Sequence, residues 1–86
     1  MDEQKHSAGD IIGKIVLSKS GRKFGIVSDI LFETQNGELM NVVLKNPTTY
    51  AQGLNLERNK QGETLIPFHA VEALGDFLLI NEDDLF

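Results

Sequence analysis

The chain has 86 residues, no cysteine and a net charge of −5, which predicts one small domain and excludes disulfides and thiolate metal sites. Its first ten residues are polar and lack the apolar core of a signal peptide, and no apolar run approaches the ~20 residues that span a bilayer. A soluble, cytoplasmic protein with no membrane insertion is the expectation.

Residues 1–10 read as a flexible tail, 11–82 as the domain and 83–86 as an acidic tip. Ile11 to Leu17 is the first predicted strand, with Ile12, Lys14 and Val16 alternating against Ile11, Ile15 and Leu17. Ser20-Gly21 then reverses the chain. Phe24 to Glu33 is too long for simple alternation, because Gly25 and Val27 share one parity while Ile30 and Phe32 share the other. One extra residue at Ser28-Asp29, a β-bulge, would put Val27, Ile30 and Phe32 on one face and bend the strand. An amphipathic helix is disfavoured here by Gly25 and the β-branched and aromatic residues.

Asn36-Gly37 is a hairpin signal, since both residues tolerate positive φ. Leu39 to Lys45 follows as a strand apolar on both faces, and therefore central or covered by another chain. Residues 46–62 form a long connection. Pro47 opens it, residues 48–52 suit one helical turn, and Tyr50, Leu54 and Leu56 would anchor it on the domain. Thr64 to Pro67 is a short strand, 68–71 a single helical turn, and Glu72 to Leu74 a brief pairing segment. Gly75-Asp76 turns the chain into the last strand, Phe77 to Ile80. The fold class is thus all-β: a small barrel of about six antiparallel strands with one short helical turn.

No reactive constellation stands out, so catalytic, cofactor-binding and metal-binding residues are all expected to be none. His6 and His69 are the only histidines, too few for a zinc site without thiolates. Glu82, Asp83 and Asp84 lack the spacing and central glycine of a calcium loop. Ser18, Ser20 and Ser28 have no positioned His–Asp set, and Gly21, Gly25 and Gly37 form no phosphate loop. Residues 1–45 hold six basic and six acidic side chains, whereas 46–86 hold two and seven. The only basic cluster is Lys14, Lys19, Arg22 and Lys23, without interleaved aromatics, so direct nucleic-acid contact is not expected.

An ordered series runs through the chain. It comprises Gly13, Val16, Ser20, Gly21, Phe24, Gly25, Val27, Asp29, Gly37, Val42 and Val43, then Leu65, Ile66, Pro67, Phe68, Ala70, Val71, Ala73, Gly75 and Asp76. This series resembles the PRC-barrel family over residues 11–82. That family is named for the cytoplasmic domain of a photosynthetic reaction-centre subunit and includes the C-terminal domain of a ribosome-maturation factor. The middle segment, with Asn46-Pro47, Ala51, Gly53, Leu54, Leu56 and Gly62, is similar to short stand-alone archaeal members. Some of these are implicated in cell division with SepF, the membrane-anchored adaptor of the FtsZ ring. The recurrent residues have structural readings here. Gly25 would sit where a strand bends or nears another backbone, Asp29 would accept amides freed by the bulge, Gly37 would serve the hairpin, and Pro67 would end an edge strand.

Three functions compete. The first is a non-enzymatic, homodimeric adaptor. It rests on apolar residues opposite the core parity, namely Ile11, Ile15, Leu17, Leu31, Leu39, Val43, Leu78 and Ile80, each forgoing roughly 1.5–3 kcal/mol if left wet. Leu31, Leu39, Val43, Leu78, Ile80 and the loop residue Tyr50 are its candidate contacts, with SepF or another PRC-barrel protein as partner. The second is a ribosome-maturation or RNA-processing accessory domain that binds a basic ribosomal protein through its acidic half. The third, an enzyme or small-ligand protein, has no positive sequence support.

Overall fold

A computed structural model describes residues 8–32 and 39–86. A four-residue helical turn, α1 (Ala8–Ile11), leads into β1 (Ile15–Ser18), β2 (Lys23–Phe32) and β3 (Leu39–Lys45). A short helix, α2 (Thr49–Gly53), precedes β4 (Thr64–Pro67). One 3-10 turn (Phe68–Ala70) joins β4 to β5 (Val71–Leu74), and β6 (Phe77–Ile80) is followed by a second 3-10 turn (Glu82–Asp84). The strands form one sheet in the order β4-β3-β2-β1-β6-β5.

The all-β fold is as expected, with three differences of detail. First, β1 starts at Ile15 rather than Ile11. Residues 8–11 wind into a helical turn instead, and Ile11, expected on the outer parity, is buried in the core. Second, the ladder is not antiparallel throughout, because β1 and β6 run parallel, with Ile15 opposite Phe77 and Ser18 opposite Ile80. Third, hydrogen bonds do not close the sheet. Its two edges, β4 and β5, are consecutive in the chain, and the 68–70 turn carries the backbone from one edge to the other. Three residues reach only about 10 Å, so the sheet must curl until those edges meet at that corner.

The bulge lies where the phase change places it. Val27 pairs with Leu44 and Asp29 with Val43, leaving Ser28 as the extra residue. Val27 and Ile30 consequently both face the core. Phe32 does not join them. A second register shift falls between Leu31 and Phe32, and Phe32 is 48% exposed. Asp29 serves the bulge as its position suggests, its Oδ1 accepting from the Ile30 amide at 2.8 Å. Asn36 and Gly37, with the hairpin assigned to them, lie outside the described residues, as does the side chain of Leu39 in β3.

Gly25 allows a close backbone approach between β2 and the end of β3. Its φ is +155°, and a Cβ there would sit 3.1 Å from the Lys45 carbonyl oxygen and 3.3 Å from the Pro47 Cα. The chain can therefore leave β3 through Asn46, at φ +50°, and fold straight back along β2. Thr48 fastens that return. Its amide donates to the Phe24 carbonyl (3.0 Å), and its hydroxyl donates to the Lys23 carbonyl (2.7 Å). The same oxygen accepts from the Ala51 amide (3.2 Å), capping α2. Ala51, Tyr50, Leu54 and Leu56 pack on the core, so the long connection is anchored as its apolar residues suggest.

The rest of that connection guards one edge of the sheet. The Leu65 amide donates to the Glu57 carbonyl, and Arg58 bridges Thr64. Asn59 Oδ1 closes the turn by accepting from the Gln61 and Glu63 amides. The edge of β4 is thus covered, which suppresses unwanted pairing. Pro67 is the last residue of that strand, where a missing N–H costs least.

Candidate functional site

The pairing of β6 with β1 decides which side chains the domain presents. Residues opposite one another in a ladder share a face. Val16 and Leu78 are partners and both buried, as are Ser18 and Ile80. Ile15 with Phe77, and Leu17 with Leu79, therefore point outward. Pairing with β2 and β5 extends these into two rows. One runs Lys45, Ile26, Ile15, Phe77 across β3, β2, β1 and β6. The other runs Lys23, Leu17, Leu79, Ala73 across β2, β1, β6 and β5. Ile15, Leu17, Ile26 and Leu79 are half-buried, and Phe77 is 45% exposed.

The rows make an apolar strip on the outside of the sheet with oppositely charged borders. On the β2–β3 side stand Lys23 and Lys45; on the β5 side stand Glu72, beside the β5 bulge, and Asp76, in the turn before Phe77. All four are exposed, and among the described residues none is held in an ion pair.

Most of the sequence-derived contact residues lie elsewhere. Leu78 is 1% exposed, Ile80 0% and Val43 2%, so none can meet a partner. In β6 the inward and outward sets are exchanged relative to expectation, because Phe77-Leu78-Leu79-Ile80 is apolar throughout and its phase comes only from the register with β1. Val43 is buried within this one chain, beside its register partner Leu65, so no second chain is needed to cover it. Leu31 is exposed at 37% on the far half of β2, away from the strip. Phe77 and Leu79 escaped sequence reading; only the β1–β6 pairing reveals them.

Tyr50 is committed inside the molecule. Its ring meets Phe24 edge-on at a centroid distance of 5.6 Å, and the Arg22 guanidinium lies 4.5 Å from its centroid on the face. Its hydroxyl donates to Glu82 Oε2 at 2.5 Å, while Ser20 Oγ donates to Glu82 Oε1 at 3.4 Å. The hydrogen bond to Glu82, with burial and that carboxylate's charge, raises the tyrosine pKa, and Arg22 opposes the shift. Asn81 caps the last turn by accepting from the Asp83 amide. His69 Nε2 lies 2.9 Å from the Asp84 carbonyl oxygen, and Leu85 packs on the core. The acidic segment 82–84 is thereby docked against the β1–β2 turn, α2 and the 68–70 turn.

Among the described residues there is no pocket and no cluster of metal-ligating side chains, and no helix is long and apolar enough to cross a membrane. What the fold offers is surface: a small curled sheet around a packed core, with an apolar strip outside and an acidic docked terminus. The chain belongs to the PRC-barrel domain family, whose profile matches residues 3–85. Among solved structures it is similar to one from Pseudomonas aeruginosa assigned as the 16S ribosomal RNA processing protein RimM, with 19% identity and a TM-score of 0.60. That likeness covers 94% of this chain and 46% of the other, so the chain spans under half of that protein. No curated protein matches the sequence.

Proposed function

We propose that this chain is a non-enzymatic protein-interaction domain that serves ribosome maturation by holding a basic ribosomal protein. The observation that carries this reading is the gathering of acidic side chains around the 68–70 turn. Asp83 and Asp84 are exposed on a segment fixed by Tyr50, Ser20 and His69, and Glu72 follows in β5. Fixed carboxylates attract a cationic protein and steer its approach. The likeness to RimM supports the setting by analogy of fold. A contact with protein rather than RNA suits the acidic second half, where Arg58 and Lys60 are the only lysine or arginine side chains.

Titration calorimetry with purified basic ribosomal proteins tests the reading. Binding that weakens with salt and with Asp83→Asn/Asp84→Asn is expected. No heat with any such protein at about 100 µM, a weak interaction by ordinary standards, would sink it.

The second reading is a homodimeric adaptor, with an archaeal division role beside SepF as its most specific form. The outer apolar strip favours self-association. The division role rests on the family resemblance alone, and four of the eight apolar residues that first suggested a dimer, Ile11, Val43, Leu78 and Ile80, are buried within the chain.

A further inference from the structure

The strip on β2, β1 and β6 goes beyond the ribosomal reading, because its borders specify an occupant. We infer that this face binds a second copy of the chain, sheet against sheet, around a two-fold axis parallel to the strands. Such an axis exchanges the β3 side of one copy with the β5 side of the other. With the axis along β1, Ile15 and Leu17 then meet their own equivalents, and Ile26 of each copy meets the partner's Phe77. Lys23 and Lys45 of each copy come to lie over Glu72 and Asp76 of its partner.

Three observations select this occupant. Pairing carries the strip across three strands, with one irregularity between Val16 and Leu17 on the β2 side, so its side chains form one patch on the outer face of the curled sheet and not scattered contacts. Phe77 stands 45% exposed within it, and an exposed aromatic amid half-buried aliphatics is a typical interface anchor. The two borders carry opposite charge and lack ion-pair partners among the described residues. A purely acidic or purely basic partner would satisfy one border and be repelled by the other, whereas a two-fold copy satisfies both. Aligned packing of two sheets about 10 Å apart suits such a face.

The footprint also sets the strength. From β3 to β5 is four strand spacings, about 19 Å, and two rows cover roughly 7 Å along the strands. That is a small interface, which implies a weak, transient dimer.

Charge exchange on the full chain tests the arrangement, read by sedimentation velocity up to about 200 µM. The wild type is expected to form a dimer that salt weakens. Lys23→Glu/Lys45→Glu and Glu72→Lys/Asp76→Lys should each associate at least about tenfold more weakly alone. An equimolar mixture of the two should recover dimers, since each variant then presents the other's missing border. Phe77→Glu should abolish association. Circular dichroism checks folding, and all substituted side chains are exposed. A wild type that stays monomeric, a mixture that fails to recover, or a dimer indifferent to Phe77→Glu overturns the inference. Ribosomal-protein binding is scored separately through Asp83 and Asp84, so a monomer that still binds such a protein defeats only the dimer.

Discussion

Strands β1 and β6 carry apolar side chains on both faces, and the two faces have opposite fates. Inward, Val16, Leu78 and Ile80 are sealed in the core with Phe24, Val27 and Ile66. Outward, Ile15, Leu17, Leu79 and Phe77 form a strip that the chain itself leaves partly uncovered. The residue types are nearly the same, so hydrophobicity alone does not separate them. The difference is one of register: a one-residue slip in β6 would exchange the two sets completely.

Stability measurements can break this comparison. The largest effect is expected for Leu78→Ala, which should cost about 2–5 kcal/mol in urea unfolding, close to the entire margin of so small a domain. Its neighbour Leu79→Ala, measured where the chain is monomeric, should cost far less. Equal losses at the two positions would show that the faces are not distinct. Gly25→Ala comes next, at roughly 1–3 kcal/mol, because the backbone at φ +155° and the Lys45 carbonyl 3.1 Å from the new methyl both resist it.

Tyr50→Phe should give a smaller loss, since the ring contacts with Phe24 and Arg22 survive and only the hydrogen bond to Glu82 goes. The same hydrogen bond predicts a pH dependence. The folded pKa of Tyr50 is raised, so the protonated form is favoured in the native state. Its contribution is complete below the ordinary tyrosine pKa and fades as pH rises through the higher folded value. Unfolding curves at mildly and strongly alkaline pH check this: the gap between wild type and Tyr50→Phe should narrow as pH climbs. A gap that widens contradicts the sign. The smallest effect belongs to Phe77→Ser, within about 0.5 kcal/mol for the monomer, sharpening the contrast if self-association falls while stability holds.

The edges offer a parallel lesson. The edge of β4 is covered by Glu57 and Arg58 through backbone pairing. The connection that does this looks structureless in sequence, its polar run from Glu57 to Gly62 giving no period. Its apolar anchors, Tyr50, Leu54 and Leu56, were nonetheless readable as packed residues. The docking of the acidic terminus was less readable. Glu82 looks like one more solvated carboxylate until Tyr50 and Ser20, distant in the chain, close on it.

Local chemistry was legible wherever a physical rule acts within a few residues. Strands β3, β4 and β6 fall on the segments that their composition marks out. The bulge at Ser28 follows from a phase change that only an inserted residue can reconcile. Ser20-Gly21 reverses the chain because glycine accepts φ +92°. Phe32 is the instructive exception: a second irregularity beside it, invisible in the alternation, turned it away from the core.

By itself, then, the sequence settles the all-β class, most strand positions, the bulge and the residues that tolerate the sharp turns, because these depend on backbone sterics and near neighbours. The tertiary structure alone decides the parallel union of β1 with β6, the burial of Val43, Leu78 and Ile80, and the outward face that carries Phe77. A short strand apolar at every position fits either way up. Only the pairing partner, brought from some sixty residues away in the chain, selects which side chains enter the core and which stay on the outer face.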